Sequence, residues 1–330
     1  MLKMEDVAKI ANVSTATVSR VLSNNKNVSK KTKEKVLKVI NQLEYKPNRL
    51  ASNFRKKTSE TIAVILPDIA NPFFSEIVKG FRDEALENGY HLLLCDTGNS
   101  AAQEKEFVEL VKERFVDGII LATARMPKDE IYKLSQEIPV VLACEYVESY
   151  EIPTVSIDNV SAAREATEYL IDQGHTRIGF ITGPLEIILS RDRVKGYRQA
   201  LLLREIPIHD FLIQEGDFSV KSGYDIMTKF LANEQKPTAI FASNDEMAIG
   251  AMKACKSKGL RIPDDISIIG FDDVPISTLV EPELTTVSQP KYEIGSQAMK
   301  MLLNIIETND LKQKQIVLPH KLMIRQTTHP

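Results

Sequence analysis

Five small or basic side chains in the stretch 15–20 have the types and spacing needed to read the edges of DNA bases: Thr15, Ala16, Thr17, Ser19 and Arg20. Arginine can donate two hydrogen bonds to a guanine edge, and Ala or the Thr methyl group can pack against the methyl group of thymine. Val18, Val21 and Leu22 recur at helical spacing, so one face of a helix can be buried while the other five side chains stay exposed. The pattern predicts a recognition helix for the major groove.

Two further helices are predicted around this one. Residues 5–11 (EDVAKIA) carry apolar side chains at helical spacing, and Asn12 tolerates the left-handed backbone of a tight turn. Ser14 is a good N-cap for the second helix, and Ser29 is one for a third helix with an apolar stripe. Two short helices joined by a turn, with a third to close the core, predict a helix-turn-helix. The alternative is a small helical bundle with a polar surface.

Charge is divided unevenly along the chain. Residues 1–58 hold 14 Lys and Arg against four Asp and Glu, a net charge of +10, whereas the whole chain carries −3. A basic segment on an acidic body indicates a polyanionic partner for that segment. Lys30, Lys31 and Lys33 suit phosphates, which position a protein on DNA without reading its sequence. The alternative interpretation is a basic, solvated tail.

Beyond residue 60 the chain alternates short apolar runs with helical patterns. The predicted strands are 62–66, 91–95, 118–121, 140–143 and 155–157, followed by 178–181, 239–242 and 266–270. The predicted helices between them include 75–88, 101–114, 162–173, 196–203 and 248–257. This alternation predicts an α/β body of two doubly wound parallel-sheet subdomains, with a ligand bound outside the carboxyl ends of the strands.

Composition and motifs argue against several other classes of protein. The 330 residues contain no apolar run near the ~20 residues that a membrane span needs, and the N-terminus lacks the features of a secretory signal, so we expect a cytoplasmic protein that makes no membrane contact. The three Cys and five His residues have no metal-ligand spacing, and no phosphate-binding glycine-rich motif is present. We therefore expect no catalytic residue, metal or cofactor. The alternatives are an α/β enzyme acting on nucleosides or sugars, and a pure solute receptor.

Three sequence runs resemble the signature of the LacI/GalR family of transcriptional regulators. They are MEDVA at 4–8, VSTATVSRVL at 13–22 and YKPNR at 45–49, and the similarity continues along essentially the whole chain. The resemblance implies base reading by Thr15, Ala16 and Arg20, in a DNA-contacting set that also includes Thr17, Ser19, Lys33 and Tyr45. The sequence departs from the family at Asn12, where many relatives have Gly, and at Lys3, where they often have a Thr or Ser cap.

The resemblance also implies a hinge helix at 48–56. Asn48 can cap it, and Leu50, Ala51 and Phe54 lie on one side of it. The resemblance adds these four residues to the DNA-contacting set. So short a helix is marginal alone in water, so its folding is expected to depend on DNA or a partner chain. Phe54 matches the position at which relatives insert an apolar wedge into the minor groove, and an aromatic ring can partly unstack a base step. The alternative is an exposed linker with one buried Phe.

The body resembles periplasmic sugar-binding receptors, most clearly in FASNDEMAIGA at 241–251. That resemblance implies an effector pocket with aromatic walls and polar groups for hydroxyls: Asn71, Phe73, Phe74, Glu145, Arg193, Phe218, Asn244, Asp272 and Gln289. Phe73 and Phe74 are also interpretable as ordinary core, and Asp272 as a turn cap. The sequence departs from the receptors at Cys144-Glu145, where they have an Asp-Arg clamp.

These sequence features predict a homodimer that binds a pseudo-palindromic double-stranded DNA operator and responds to a nucleoside or sugar effector. The predicted domains are residues 1–58, with the hinge helix at 48–56, and two effector subdomains. The first subdomain comprises 59–158 with about 289–316, and the second comprises 159–288 with about 317–330.

Overall fold

The computed structural model describes residues 3–22, 28–43, 45, 58–113, 116–308 and 314–329. The chain divides into two compact units, Met1–Ser59 and Glu60–Pro330, which we call the head and the body. No helix in the described ranges is long and apolar enough to cross a membrane. The predicted hinge helix lies outside the described residues.

The head is built from α1 (Met4–Ala11), α2 (Thr15–Leu22) and α3 (Lys30–Gln42). Asn12 adopts the predicted left-handed backbone, with a φ of 47°, and so turns the chain between α1 and α2. Ser14 Oγ accepts the Thr17 N–H at 3.1 Å, which confirms it as the cap of α2. The apolar faces of the three helices meet in one core. The helix-turn-helix prediction is confirmed.

The body contains two six-stranded sheets. Sheet 1 has the order β11-β5-β4-β3-β1-β2 and sheet 2 the order β12-β10-β9-β8-β6-β7. The strands of sheet 1 are β1 (Thr61–Leu66), β2 (His91–Asp96), β3 (Gly118–Ala122), β4 (Val140–Ala143), β5 (Thr154–Ile157) and β11 (Gln315–Leu318). Those of sheet 2 are β6 (Ile178–Thr182), β7 (Ile213–Glu215), β8 (Ala239–Ala242), β9 (Ser267–Asp272), β10 (Thr285–Ser288) and β12 (Lys321–Met323). All the pairings are parallel except that of β10 with β12.

Helices cover the sheets: α4 (Pro72–Glu87), α5 (Ala101–Lys112), α6 (Lys128–Glu137), α7 (Asn159–Asp172), α8 (Ile188–Leu203), α9 (Val220–Leu231), α10 (Asp245–Ser257) and α11 (Lys291–Thr308). The doubly wound prediction is therefore confirmed. The predicted helix at 196–203 was too short, because α8 begins at Ile188. Gly196 lies inside α8, where a Cβ atom would come within 2.2 Å of the Val160 carbonyl oxygen. This glycine allows close packing on α7 rather than beginning a helix.

The chain crosses between the two sheets three times. It leaves sheet 1 after β5, returns after β10 through α11, and passes from β11 in sheet 1 to β12 in sheet 2. Helix α11 packs closely on α4, because a Cβ atom at Gly295 would lie 2.1 Å from the Ile77 carbonyl oxygen. We call sheet 1 with its helices, including α4 and α11, the first subdomain, and sheet 2 with its helices the second subdomain.

Strand order reverses at β1/β3 in sheet 1 and at β6/β8 in sheet 2. Such switch points leave a crevice outside the carboxyl ends of the strands, where α/β folds bind ligands. The strands that frame these points are almost entirely buried, which explains their continuous apolar sequences.

Candidate nucleic-acid interface and ligand cleft

Helix α2 presents a polar face that the head core leaves accessible. Val18 and Val21 are buried, whereas Thr15, Ala16 and Arg20 are exposed. Thr17, Ser19 and Lys33 are half-buried. The side chains at the start of α2 therefore have the small size and exposure that close approach to base edges requires.

Tyr45 differs from these residues in its burial. It is buried in the head core, 8% exposed, with its backbone N–H bonded to the Ile40 carbonyl oxygen at 3.0 Å. The ring of Tyr45 therefore packs in the core, and its contact with DNA stays a prediction. The other predicted contacts, Asn48, Leu50, Ala51 and Phe54, lie outside the described residues.

The body has a cleft between the carboxyl ends of its two sheets. Eight of the nine predicted effector residues line its cavity, which has a volume of about 140 Å³: Asn71, Phe73, Phe74, Arg193, Phe218, Asn244, Asp272 and Gln289. These residues come from both subdomains, so the strand ends of both sheets face one space. Several lining residues that the sequence reasoning missed also follow strands of sheet 1: Asp68, Asn99, Thr123 and Arg125. Their position after predicted strands was the signal that could have found them.

Aromatic rings form the apolar walls of the cleft. Phe73 and Phe74 are buried at the start of α4, with ring centroids 5.2 Å apart in an edge-to-face arrangement. They line the cleft and belong to the core as well. Phe218 is half-buried, with a φ of 68°, and its carbonyl accepts the Asn244 side-chain N–H at 2.9 Å. A Cβ atom at Gly183 would lie 2.1 Å from the Phe218 ring, so only glycine leaves room for it there.

Asp272 is the central acid of the cleft. Burial raises the pKa of this carboxyl to about 6, although Arg193, Lys291 and Gln289 oppose the shift. Gln289 donates to its Oδ1 at 2.7 Å, and the Arg193 guanidinium lies 3.9 Å from the same atom. A carboxylate, an amide and a guanidinium held together in this way can bind neighbouring hydroxyl groups by hydrogen bonds.

Arg193 is itself held rigidly. It is 3% exposed, its Nε donates to Asn159 Oδ1 at 2.9 Å, and its guanidinium carbon lies 3.6 Å above the Phe271 ring. It also donates to the Ser243 carbonyl oxygen. Burial lowers its pKa to about 10, so the guanidinium stays charged at neutral pH. The ligand would thus meet a preorganised donor.

Two asparagines of the cleft also cap helices. Asn71 Oδ1 accepts the Phe73 N–H at 2.9 Å, and Asn244 Oδ1 accepts the Met247 N–H at 2.9 Å. In each case the carbonyl oxygen caps the helix, so a ligand would meet the amide nitrogen, one N–H of which Asn244 already donates to the Phe218 carbonyl.

Glu145, the ninth predicted residue, lines an adjoining chamber of about 400 Å³. The chamber and the cleft cavity share Asn99 and Arg125. Glu145 is 4% exposed, its Oε1 lies 3.5 Å from Arg125 Nη1, and its Oε2 has no hydrogen-bond partner among the described residues. Burial raises its pKa to about 7, Arg125 opposes the rise and Glu104 adds to it. Near neutral pH this group can both donate and accept a hydrogen bond.

Two polar contacts bridge the mouth of the chamber between the subdomains. Tyr146 donates to Asp192 at 3.3 Å, and Arg191 lies 3.4 Å from Glu148. Both pairs are largely exposed, so each contributes little by itself. Elsewhere in the described ranges, no group of three or more His, Cys, Asp or Glu side chains is placed to hold a metal ion.

Comparison with known proteins gives one consistent result. Residues 3–48 match the model for bacterial regulatory proteins of the LacI family, and residues 59–326 match the model for periplasmic binding proteins and the sugar-binding domain of the LacI family. The chain is 41% identical to the HTH-type transcriptional repressor CytR of Escherichia coli (strain K12), covering 98% of this chain and 96% of the relative. It is 39% identical to catabolite control protein A of Priestia megaterium, covering 98% of each.

Solved structures agree with this result. The Lac repressor dimer bound to operator and the anti-inducer ONPF has a TM-score of 0.90 at 30% identity, with 99% of each chain covered. A complex of the transcriptional regulator CelR with cellobiose has a TM-score of 0.76 at 29% identity, covering 99% of this chain and 100% of the other.

Proposed function

The chain belongs to the LacI family of bacterial regulatory proteins, and from that premise we propose how its head and body divide the work. It is a dimeric, DNA-binding transcriptional regulator and not an enzyme, and its operator affinity responds to a small molecule of the nucleoside or sugar class. We assign operator reading to residues 1–58 and effector binding to the two subdomains, with the boundaries predicted above. Because it acts on the chromosome, we place it in the cytoplasm.

Operator reading is assigned to α2, on the observation that its exposed face combines Thr15 and Ala16 with Arg20. Arg20 would donate to a guanine edge, while Thr15 and Ala16 would contact thymine methyl groups. Lys33 would contact a phosphate. Because two of the three reading side chains are small, the hinge segment and its Phe54 are assigned a share of affinity and specificity.

Binding to a set of operators with single base substitutions tests this assignment. Arg20→Ala should relax specificity at one base pair per half-site, with a loss of about 1–3 kcal/mol on the preferred sequence. Lys33→Ala is the matched control. It should weaken binding to all the operator sequences alike and reduce the slope of log affinity against log salt concentration by about one. An Arg20→Ala variant with unchanged base preferences would contradict the choice of reading face.

Effector binding is assigned to the cleft, and the convergence of eight predicted residues on one cavity carries this proposal. A cavity near 150 Å³ holds a single benzene-sized ring, so about 140 Å³ suits one sugar or base ring. The adjoining chamber of about 400 Å³ gives room for a second ring, whose N–H or O–H groups would meet Glu145. The effector we propose therefore has two rings, as a nucleoside or a disaccharide does.

A thermal-shift panel tests this assignment: cytidine, uridine, adenosine, guanosine, D-ribose, D-glucose and cellobiose. A two-ring compound should stabilise the protein more than ribose or glucose at equal concentration. Glu145→Gln should weaken the binding of the two-ring compound and leave the binding of the single-ring compounds unchanged. Equal shifts from ribose and the nucleosides would refute the second-ring assignment, and no shift from any compound would refute the effector class.

A further inference from the structure

Lys291 joins the two subdomains by hydrogen bonds to the backbone. It is the first residue of α11, which packs on α4 in the first subdomain. Its Nζ donates to the Asp273 carbonyl oxygen at 2.8 Å and also to the Asp272 carbonyl oxygen. Asp272 is the last residue of β9 in the second subdomain, and Asp273 follows it directly. One ammonium group therefore spans the second crossing of the chain.

The location of this charge is unfavourable for the helix that carries it. A cation at a helix N-terminus is opposed by the helix dipole, which favours an acidic residue there. Lys291 is part-buried, so its side chain also loses rotamer freedom when it is held in one place. Helix formation does not account for the residue, whereas its bonds to β9 do.

The backbone that Lys291 binds is strained. Asp272 and Asp273 have φ values of 105° and 52°, so two consecutive non-glycine residues lie in the left-handed region. Such conformations persist only where surrounding contacts impose them. Lys291 supplies two of these contacts to the backbone, while Gln289 and Arg193 separately hold the Asp272 carboxyl in the cleft.

The same pair of aspartates is linked to every crossing, to the first of them through Arg193 on α8. Arg193, 3.9 Å from the Asp272 carboxyl, also donates to Asn159, which begins α7 directly after the first crossing. Gln289 and Lys291 lie on the second crossing. Arg325, which follows the third, donates to Asp273 Oδ1 at 2.6 Å. A movement at the end of β9 therefore reaches all three connecting segments.

We propose that Lys291 is a positioning residue that transmits effector contact at Asp272 to the angle between the two subdomains. This inference rests on the proposed function of the cleft. The ammonium group makes no ligand contact in this scheme, so its loss leaves the Asp272 carboxylate in place to bind. What is lost is the rigid connection between β9 and α11.

The first test is the ratio of operator affinities with and without a saturating amount of the panel compound that stabilises wild type most. Effector coupling in such proteins is about 5- to 150-fold. Lys291→Met should reduce the ratio to below about twofold, while the dissociation constant of the compound rises less than about tenfold. Lys291→Arg, which keeps charged N–H donors, should restore most of the ratio.

Lys300→Met is the matched control, because Lys300 lies on the same helix and pairs with Glu84 inside the first subdomain at 3.4 Å. It should leave the ratio at the wild-type value. A Lys291→Met protein with wild-type coupling at saturation overturns the inference, even if its affinity for the compound has changed.

The second test needs no effector, so it decides the matter even if every panel compound fails to bind. The chain contains no tryptophan, so Tyr146→Trp adds a single tryptophan, which can be excited apart from the tyrosines, beside Asp192 at the mouth of the chamber. In that background Lys291→Met should make the indole more accessible to acrylamide, and Lys300→Met should not. Identical quenching in the two variants overturns the inference, whereas failure of the panel alone refutes only the effector proposal.

Discussion

Replacing Glu145 by Gln tests whether the buried carboxyl carries the energetic cost that its surroundings imply. The side chain is 4% exposed, and Arg125, 3.5 Å away, is the main positive charge that offsets its own. Burial raises its pKa from 4.5 to about 7, with Arg125 opposing and Glu104 reinforcing the shift. Gln has nearly the same shape and hydrogen-bonding capacity but takes up no proton in this range. The variant therefore isolates the titration of one group.

The magnitude follows from proton linkage. Between pH 4.5 and 7 the folded chain binds the Glu145 proton and the unfolded chain does not, so the free energy of unfolding falls as pH rises. Above pH 7 both states are ionised and the effect is constant. Since one pKa unit is worth about 1.4 kcal/mol, the wild type should lose about 2–3 kcal/mol relative to Glu145→Gln between pH 5 and 8.

Urea unfolding at pH 5, 6, 7 and 8 measures this difference, with the protomer concentration held constant because dimerisation contributes to stability. Glu148→Gln is the matched control: it makes the same substitution three residues away, at a side chain that is 55% exposed, and should change the free energy of unfolding by less than about 0.5 kcal/mol. If the free energies of unfolding of Glu145→Gln and wild type change with pH in parallel, to within about 0.5 kcal/mol, ionising the buried Glu145 carboxyl does not cost the roughly 2–3 kcal/mol expected.

Three further outcomes are expected. Gly295→Ala should lower the free energy of unfolding by about 2–3 kcal/mol in urea titrations, because its Cβ atom would lie 2.1 Å from the Ile77 carbonyl oxygen. Tyr146→Phe removes an exposed bond across the cleft to Asp192, so effector affinity measured by calorimetry should fall only about twofold. Operator affinity measured from 50 to 200 mM salt should fall with a logarithmic slope of about 0.9 per phosphate neutralised, and a flat dependence would argue against the basic head as the DNA-binding unit.

The sequence predicted those parts of the fold that bury continuous apolar surface. Strands such as β4 and β8 were located to the residue, because runs of four buried apolar side chains have few other interpretations. Three edge strands were missed for the opposite reason, whereas the edge strand β2 was predicted because its exposed sequence is still apolar. In β7 and β11 every residue is half-buried or exposed, so their sequences differ little from those of loops. The internal strand β10 was missed as well, since three of its four residues are Thr or Ser. Helices α6, α9 and α11 were also missing from the predicted helices.

The cleft was predictable because topology and sequence position coincide there. Asp272 and Asn244 follow strands, and the carboxyl ends of parallel strands meet at one edge of a sheet. Glu145 was predicted to line the same pocket, but the structure places it in the adjoining chamber. It follows β4, which is one strand further from the β1/β3 switch point than β3. Lys291 could not be found at all, since its partners are backbone carbonyls some 18 residues away in the chain.

Ligand binding and structural support are not separable in this cleft. Asn71 and Asn244 cap helices of different subdomains through the same side chains that face the cavity. Asp272 lies on strained backbone that Lys291 binds from the opposite subdomain. A ligand that hydrogen-bonds to these groups must therefore alter the contacts at helix ends and chain crossings in both subdomains at once. A pocket built from such residues binds its ligand and changes the relation between subdomains in one step, which is what control of two DNA-binding heads in a dimer requires.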